Sequence, residues 1–209
     1  MEANKDKFKQ EIIVGMNLRN LVVSKDYESI PSLMDKIAVP QGYKLGLKCL
    51  NDDNMQGMGG ESYVTILTPD NSEILDRTDQ FWSLISAEDS PMGAWQVYLI
   101  YNLWHYLPLF WHANYENRQY IYTRAQWGGE VRPGFDNITP LVGFDISKQD
   151  IYPSIHKEDG YYYVSACYWS EFEGLVREEL KIAIGKKVHV YKRPVHHNIL
   201  YRYHCGICF

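Results

Sequence analysis

Residues 91–115 contain no Asp, Glu, Lys or Arg, and this uncharged stretch constrains the fold more than any other feature of the sequence. Polar or helix-breaking residues interrupt it at Gln96, Asn102, His105, Pro108 and His112. No uninterrupted apolar run therefore reaches the roughly 20 residues that a membrane span needs. Ser90 followed by Pro91 is typical of a helix start. We predict a long aromatic helix from Pro91 to about Leu107, buried on nearly all sides in a globular core.

Apolar residues elsewhere alternate with a period of two, which predicts β-strands. The expected strands are residues 43–50, 62–68, 118–127, 161–169, 188–193 and 198–205. Helical spacing favours short helices at residues 5–18, after Pro31 and at residues 80–87. Because no regular βαβ rhythm links these segments, we predict the α+β class, with a mainly antiparallel sheet packed against a few helices. The length fits a single globular domain over residues 1–209.

The clearest local helix signal begins at Ser170. Ser170 and Glu173 have the spacing of a capping box, in which a hydroxyl and a carboxylate satisfy N–H groups at a helix start. Apolar residues then recur at helical spacing, at Phe172, Leu175, Val176 and Leu180. Gly185 is a typical left-handed residue after a helix end. The pattern predicts a helix between Ser170 and Gly185.

The net charge of −5 is unevenly distributed. Residues 51–100 are rich in acids and contain one base, Arg77, whereas residues 181–209 contain bases and histidines but no acid. Such a layout can steer a charged partner, or the two groups of charges can pair within the fold. The N-terminal residues mix both charges and precede an apolar run too short for a signal peptide, which favours a cytoplasmic protein with reduced cysteines.

The strand at residues 118–127 is a candidate partner-binding surface. Alternation places four residues on one of its sides, namely Arg118, Tyr120, Tyr122 and Arg124. Tyr and Arg are enriched at the centre of protein interfaces, and they also stack on nucleic-acid bases. Asp52 and Asp53, in the acidic loop between the first two strands, are candidate docking residues beside it. The alternative is an ordinary sheet face that lies under a helix.

The C-terminus contains a candidate metal site. Cys205 and Cys208 have the C-x-x-C spacing that binds zinc, and His197 and His204 are the candidate remaining ligands. The sequence contains one C-x-x-C pair where a complete cysteine site needs two, so the alternative is buried or idle thiols. No other cofactor is expected.

No motif selects catalytic residues, because the nucleophile-elbow, zincin, kinase and dinucleotide patterns are all missing. Acidic, Trp- and Tyr-rich proteins of this size without a signal peptide are similar in composition to bacterial immunity proteins. That similarity implies a non-enzymatic binding protein that neutralises a basic toxin through an aromatic, acidic-rimmed surface. One alternative is a hydrolase or nucleic-acid-processing enzyme that joins His and carboxylate residues in a deep pocket. A second is a zinc-stabilised nucleic-acid binder, which the net charge argues against.

Overall fold

The structure of the chain is a computed structural model that describes residues 34–51, 60–75, 79–103, 119–121, 145–170, 173–191 and 194–203. Its elements are β1 (Ile37–Ala38), β2 (Lys44–Asn51), β3 (Gly60–Leu67), β4 (Glu73–Leu75), α1 (Asp79–Leu84), β5 (Ser86–Ala87), α2 (Pro91–Leu103), β6 (Gln119–Ile121), a 3-10 turn (Ile146–Lys148), β7 (Ser154–Glu158), β8 (Tyr161–Ser170), β9 (Gly174–Ile184), β10 (Val188–Val190) and β11 (His196–Arg202). Antiparallel sheets with few helices make up the described chain, which agrees with the predicted α+β class.

The largest sheet is built around a hairpin of β8 and β9. Tyr162 pairs with Ile182 near one end of this hairpin, and Tyr168 pairs with Val176 near the other. The outer edge of β8 pairs with β7 and β6, and the outer edge of β9 pairs with β10 and β11, always antiparallel. The two smaller sheets are β2–β3–β4 and β1–β5.

The helix predicted between Ser170 and Gly185 is wrong, because residues 174–184 form strand β9. The Glu173 N–H does donate a hydrogen bond to the Ser170 hydroxyl at 3.1 Å, but this bond lies in the turn of the β8–β9 hairpin. A hydroxyl bonded to the N–H three residues later is compatible with a turn as well as with a helix start. Gly174 rather than Gly185 adopts the left-handed conformation, with φ of 91°.

Burial along β9 shows why the apolar spacing was misleading. Val176, Leu180 and Ile182 are buried on one face together with Glu178, while the residues between them are half-buried. The buried glutamate breaks the apolar alternation that identifies a strand in the sequence, and the remaining apolar positions also fit a helix. Pairing with neighbouring strands on both edges then decides the conformation over local propensity.

The other predicted elements have mixed outcomes. The first hairpin is confirmed, since β2 and β3 pair from Lys44 opposite Leu67 onward, and the strands at residues 161–169, 188–193 and 198–205 correspond to β8, β10 and β11. The helix after Pro31 is wrong over residues 34–38, which form a turn and then β1. The helix at residues 80–87 ends early, at Leu84. The predicted helix at residues 5–18 lies outside the described residues.

Helix α2 begins where the sequence predicts it. The Gly93 N–H donates to the Ser90 hydroxyl at 3.1 Å, as expected for a serine cap before a first-turn proline. Residues 93–100 are buried, and residues 104–107 of the predicted span lie outside the described part. Trp95 and Tyr98 pack in one core with Val164 of the large sheet and Ile66 of β3. No helix within the described ranges is both long enough and apolar enough to cross a membrane.

The opposite face of the large sheet is buried at one end only. Cys167 and Trp169 form a second, smaller core there with Ile121, Ile151 and Leu175. Tyr201 and Tyr203 cover Trp169, with ring centroids 6.5 and 5.2 Å from its own. The other end of the same face carries polar and aromatic side chains instead.

Cys167 in this smaller core is expected to be chemically inert. Burial raises the pKa of its thiol to about 11, and its sulfur lies 3.7 Å from the Asp150 carbonyl oxygen. Because the thiolate is the reactive form, we expect no alkylation of Cys167 by iodoacetamide at pH 8 in the native protein and full alkylation in denaturant. Peptide mass spectrometry measures both. Equal rates in the two states would contradict the burial of this thiol.

Candidate functional site

The surface predicted on residues 118–127 lies mostly outside the described residues. The structure describes the backbone of Tyr120, which pairs with Tyr168 in the large sheet. The undescribed members of the predicted set are Arg118, Tyr122, Arg124, Asp52 and Asp53. Partner binding by these residues stays a prediction.

The predicted zinc ligands are likewise described only in part. His197 lies on β11, and its Nε2 atom is 3.1 Å from Oε1 of Glu173. His204, Cys205 and Cys208 lie outside the described residues. Within the described ranges, no group of three or more His, Cys, Asp or Glu residues is placed to hold a metal ion. A zinc site at the C-terminus stays a prediction.

The structure reveals an aromatic cluster on the open end of the large sheet, which we name the tyrosine face. Its members are Tyr161 and Tyr163 of β8, Lys181 of β9, His156 of β7, His189 of β10, and Tyr191, which directly follows the last residue of β10. The strand register explains their proximity, since Tyr163 pairs with His156 on one side and with Lys181 on the other. Their neighbours in sequence, such as Tyr162 and Ile182, are buried on the opposite face because side chains alternate along a strand.

The lysine lies at the centre of the tyrosine face. Lys181 Nζ is 3.8 Å from the ring centroid of Tyr161, 5.2 Å from that of Tyr191 and 5.8 Å from that of Tyr163. These distances are within the range of cation–π attraction. The lysine, on β9, therefore links two rings of β8 with the ring of Tyr191 at the end of β10.

The rings also contact one another. His156 and Tyr163 stack with centroids 4.9 Å apart and planes 6° from parallel. Tyr191 contacts Tyr161 and His189 edge to face, at 5.9 and 4.7 Å. The hydrogen bond with Tyr161, followed by burial, raises the pKa of the Tyr191 phenol above its usual value. These contacts restrict the rotamers of the rings before any partner is present.

The tyrosine face is partly open to solvent within the described structure. Tyr191 is 36% exposed, and Tyr152 and Val195 are the other exposed large apolar residues within the described part of the chain. His156 and His189 are exposed, and Tyr161, Tyr163 and Lys181 are half-buried. Large aromatic residues grouped at the surface are typical of interaction sites.

The acids of residues 51–100 have a different environment where the structure describes it. Asp89 accepts hydrogen bonds from Lys157 and from the buried Tyr162, each at 2.7 Å, and the lysine bond lowers the pKa of this carboxyl. Glu88 pairs with Lys36 at 3.2 Å. These two acids pair within the fold, but with lysines outside residues 181–209, so they do not show the predicted pairing of the two charge groups with each other.

A histidine and a carboxylate do meet at the turn of the central hairpin. The Tyr168 hydroxyl donates to Oε2 of Glu173 at 2.8 Å, and the other oxygen of Glu173 contacts His197. This chain of contacts links the hairpin turn to β11. A cavity of about 320 Å³ lies elsewhere, lined by Met34, Ile37, Val39, Tyr43, Lys44 and Leu45, and its described lining contains neither His nor carboxylate.

No protein-family model, curated protein or solved structure matches this chain. Function must therefore be inferred from the described geometry, in which the tyrosine face groups aromatic residues at a partly exposed surface. The alternation of residues 161–169 indicates its tyrosines in the sequence. Lys181 could not be found in this way, because its strand has the spacing of a helix.

Proposed function

We propose that this chain is a non-enzymatic binding protein that captures a protein partner on the tyrosine face. The observation that supports this most directly is the arrangement of three tyrosine rings around Lys181 on a partly exposed sheet face. Tyrosine is among the residues that contribute most to binding energy in protein interfaces, because it combines a large apolar ring with a polar tip.

Restriction of the rings before binding favours this role. Lys181 contacts Tyr161 from one side, and Tyr191 contacts the same ring edge to face. Association costs about 0.5–1.5 kcal/mol for each flexible side chain that becomes fixed. Rings that are already held by neighbours avoid part of this cost, as in tyrosine-rich antibody surfaces.

The same contacts argue against a single-stranded nucleic acid as the partner. Sequence-tolerant nucleic-acid binding needs aromatic faces on which bases stack and cations that contact phosphates. Here Lys181 lies over a face of Tyr161, and His156 covers a face of Tyr163. The net charge of −5 further weakens attraction to phosphates. Ring edges and polar tips are better suited to a protein surface.

An enzymatic role has less support. The Glu173–His197 contact is the arrangement of a carboxylate that orients a possible general base. The described cavity contains neither residue, and the contact already serves to join the hairpin turn to β11. We therefore prefer the binding role.

The specific form of the proposal is an immunity-type protein that neutralises a basic toxin in the cytoplasm. The acidic loop with Asp52 and Asp53 would supply electrostatic attraction to such a partner, in addition to the contacts of the tyrosine face.

The proposal also includes the continuation of helix α2 to Leu107. It would place the aromatic residues of the helix in the core and leave the sheet tyrosines as the exposed aromatic surface.

Site-specific crosslinking in the native lysate tests the proposal. We would place a photoreactive phenylalanine analogue at Tyr191, and at Tyr152 as a matched control that is also an exposed tyrosine. We expect one discrete protein adduct from position 191 and none from position 152. Once the partner is identified, Tyr161→Ala and Tyr191→Ala should each weaken binding about 30-fold or more, and Tyr152→Ala less than about 3-fold.

Two results would contradict the proposal. One is the absence of an adduct specific to position 191. The other is an equal loss of affinity in the Tyr152→Ala and Tyr191→Ala variants, since it would show that the tyrosine face has no special part in binding.

A further inference from the structure

We infer that the protein partner presents an acidic side chain, whose carboxylate pairs with Lys181 at the centre of the tyrosine face. This inference rests on the proposed function and specifies one contact of the partner: a toxin that is basic in total charge presents one acidic side chain at this position. It starts from the environment of Lys181, which differs from that of the described lysines and arginine that pair with carboxylates.

Several cations of the described chain have carboxylate partners. Lys36 pairs with Glu88, Lys148 with Asp145, Lys157 with Asp89 and Arg177 with Asp150, all within 3.6 Å. Within the same described ranges, no carboxylate lies at salt-bridge distance from Lys181, whose contacts are aromatic rings.

Lys181 is also positioned more firmly than an ordinary surface lysine. Its side chain is half-buried, and rings of β8 and of Tyr191 surround its ammonium group. Partial burial without a counter-ion leaves an incompletely compensated charge, which an incoming anion would stabilise. Because the position is fixed in advance, little side-chain entropy is lost when the anion binds.

The other charged and titratable groups around the face favour a carboxylate side chain over a phosphate backbone. His156 and His189 flank the rings, and Lys186 and Lys187 are exposed in the turn between β9 and β10. Acids lie nearby as well. Glu158 pairs with Tyr161 in the strand register, and Asp159 is the next residue after Glu158. Glu179 lies two residues before Lys181, and its Oε1 atom is 3.8 Å from Nε2 of His196. A phosphate backbone carries its charges at a fixed, close spacing and would meet these acids, whereas one glutamate side chain of an extended peptide can reach Lys181 while the other side chains stay in solvent.

Binding of a hexaglutamate peptide to the full chain tests this inference. We would follow the ring signals of Tyr161 and Tyr191 by NMR in protein labelled on tyrosine, at 50 and 300 mM NaCl. We expect hexaglutamate to shift both signals, and to bind several-fold more weakly at the higher salt. Hexalysine should cause no shift, and a ten-residue oligothymidine should bind more weakly than hexaglutamate.

Matched substitutions show whether Lys181 is responsible. Lys181→Gln should weaken hexaglutamate binding about ten-fold or more, and Lys181→Arg should largely retain it. Lys157→Gln is the control, because Lys157 also lies over a tyrosine ring, at 4.7 Å from the Tyr162 centroid, but is already paired with Asp89. It removes the same charge and should leave binding unchanged.

The outcomes separate the inference from the proposed function. Unchanged hexaglutamate binding in Lys181→Gln, or tighter binding of the oligothymidine, would overturn the inference. A crosslinked partner whose affinity depends on Tyr191 but is unaffected by Lys181→Gln would also overturn it, while leaving the proposed function intact. If no partner crosslinks at position 191, the proposed function itself fails.

Discussion

Replacing Gly174 with alanine is expected to lower the free energy of unfolding by about 3–5 kcal/mol. Gly174 has φ of 91°, a conformation that is strained for residues with a Cβ atom. A Cβ at this position would lie 2.1 Å from the carbonyl oxygen of Tyr201 and 2.6 Å from the backbone nitrogen of Tyr203. Backbone strain and steric overlap of the added Cβ act together here, because the backbone of β11 lies close beside the first residue of β9, where Gly174 pairs with Arg202.

Three other glycines separate the two causes. Gly160 has φ of 80° with nothing near its Cβ position, so alanine should cost only about 1 kcal/mol. Gly93 in α2 has no unusual φ, but its Cβ would lie 2.0 Å from a backbone oxygen, so we expect a loss of about 2–3 kcal/mol. Gly185 has neither feature, and its change should be within about 0.5 kcal/mol.

Urea denaturation of the four variants measures these differences. If Gly174→Ala were no more destabilising than Gly160→Ala, the close approach of β11 to the hairpin turn would be wrong. If Gly185→Ala were the most harmful, the helix predicted from the sequence over residues 170–185 would regain support. The series thus tests the strand assignment of β9 directly.

The contrast between the two hairpins shows what the sequence can predict. In β2 apolar residues recur at Leu45, Leu47 and Cys49, and the residues between β2 and β3 are typical of turns, so local information is sufficient. In β9 the buried Glu178 occupies a position where a strand pattern requires an apolar residue. Ser170 and Glu173 add a capping pattern that also suits a tight turn. Only pairing with β8 and β11 resolves the ambiguity, and single-sequence periodicity does not contain that pairing.

The tyrosine face depends on the same long-range information. The alternation over residues 161–169 indicates that Tyr161 and Tyr163 share one side of a strand. Lys181 joins them only if residues 174–184 are a strand in the observed register, and Tyr191 joins only through β10. A helix at these positions would have placed Lys181 on an unrelated surface. The sequence therefore shows the residues of the tyrosine face, but it does not show the strand pairing that brings them together.

Replacing Trp95 with alanine is expected to lower the free energy of unfolding by about 3–5 kcal/mol, whereas Tyr191→Ala should change it by less than about 1 kcal/mol. Trp95 is 2% exposed and stacks on Tyr98, with centroids 5.2 Å apart, in the core beneath the large sheet. Loss of this ring leaves a cavity that the surrounding core cannot fill completely. Tyr191 is 36% exposed, so water replaces much of its environment when the ring is removed.

Partner binding should show the opposite order. Trp95→Phe keeps a ring in the core and is the variant suited to this comparison if Trp95→Ala fails to fold. We expect it to retain affinity for the partner crosslinked at position 191, while Tyr191→Ala loses it. Urea denaturation and equilibrium binding on the same preparations measure both quantities. If Tyr191→Ala destabilised the fold as strongly as Trp95→Ala, the tyrosine face would be a part of the core, and its aromatic residues would need no partner to explain them.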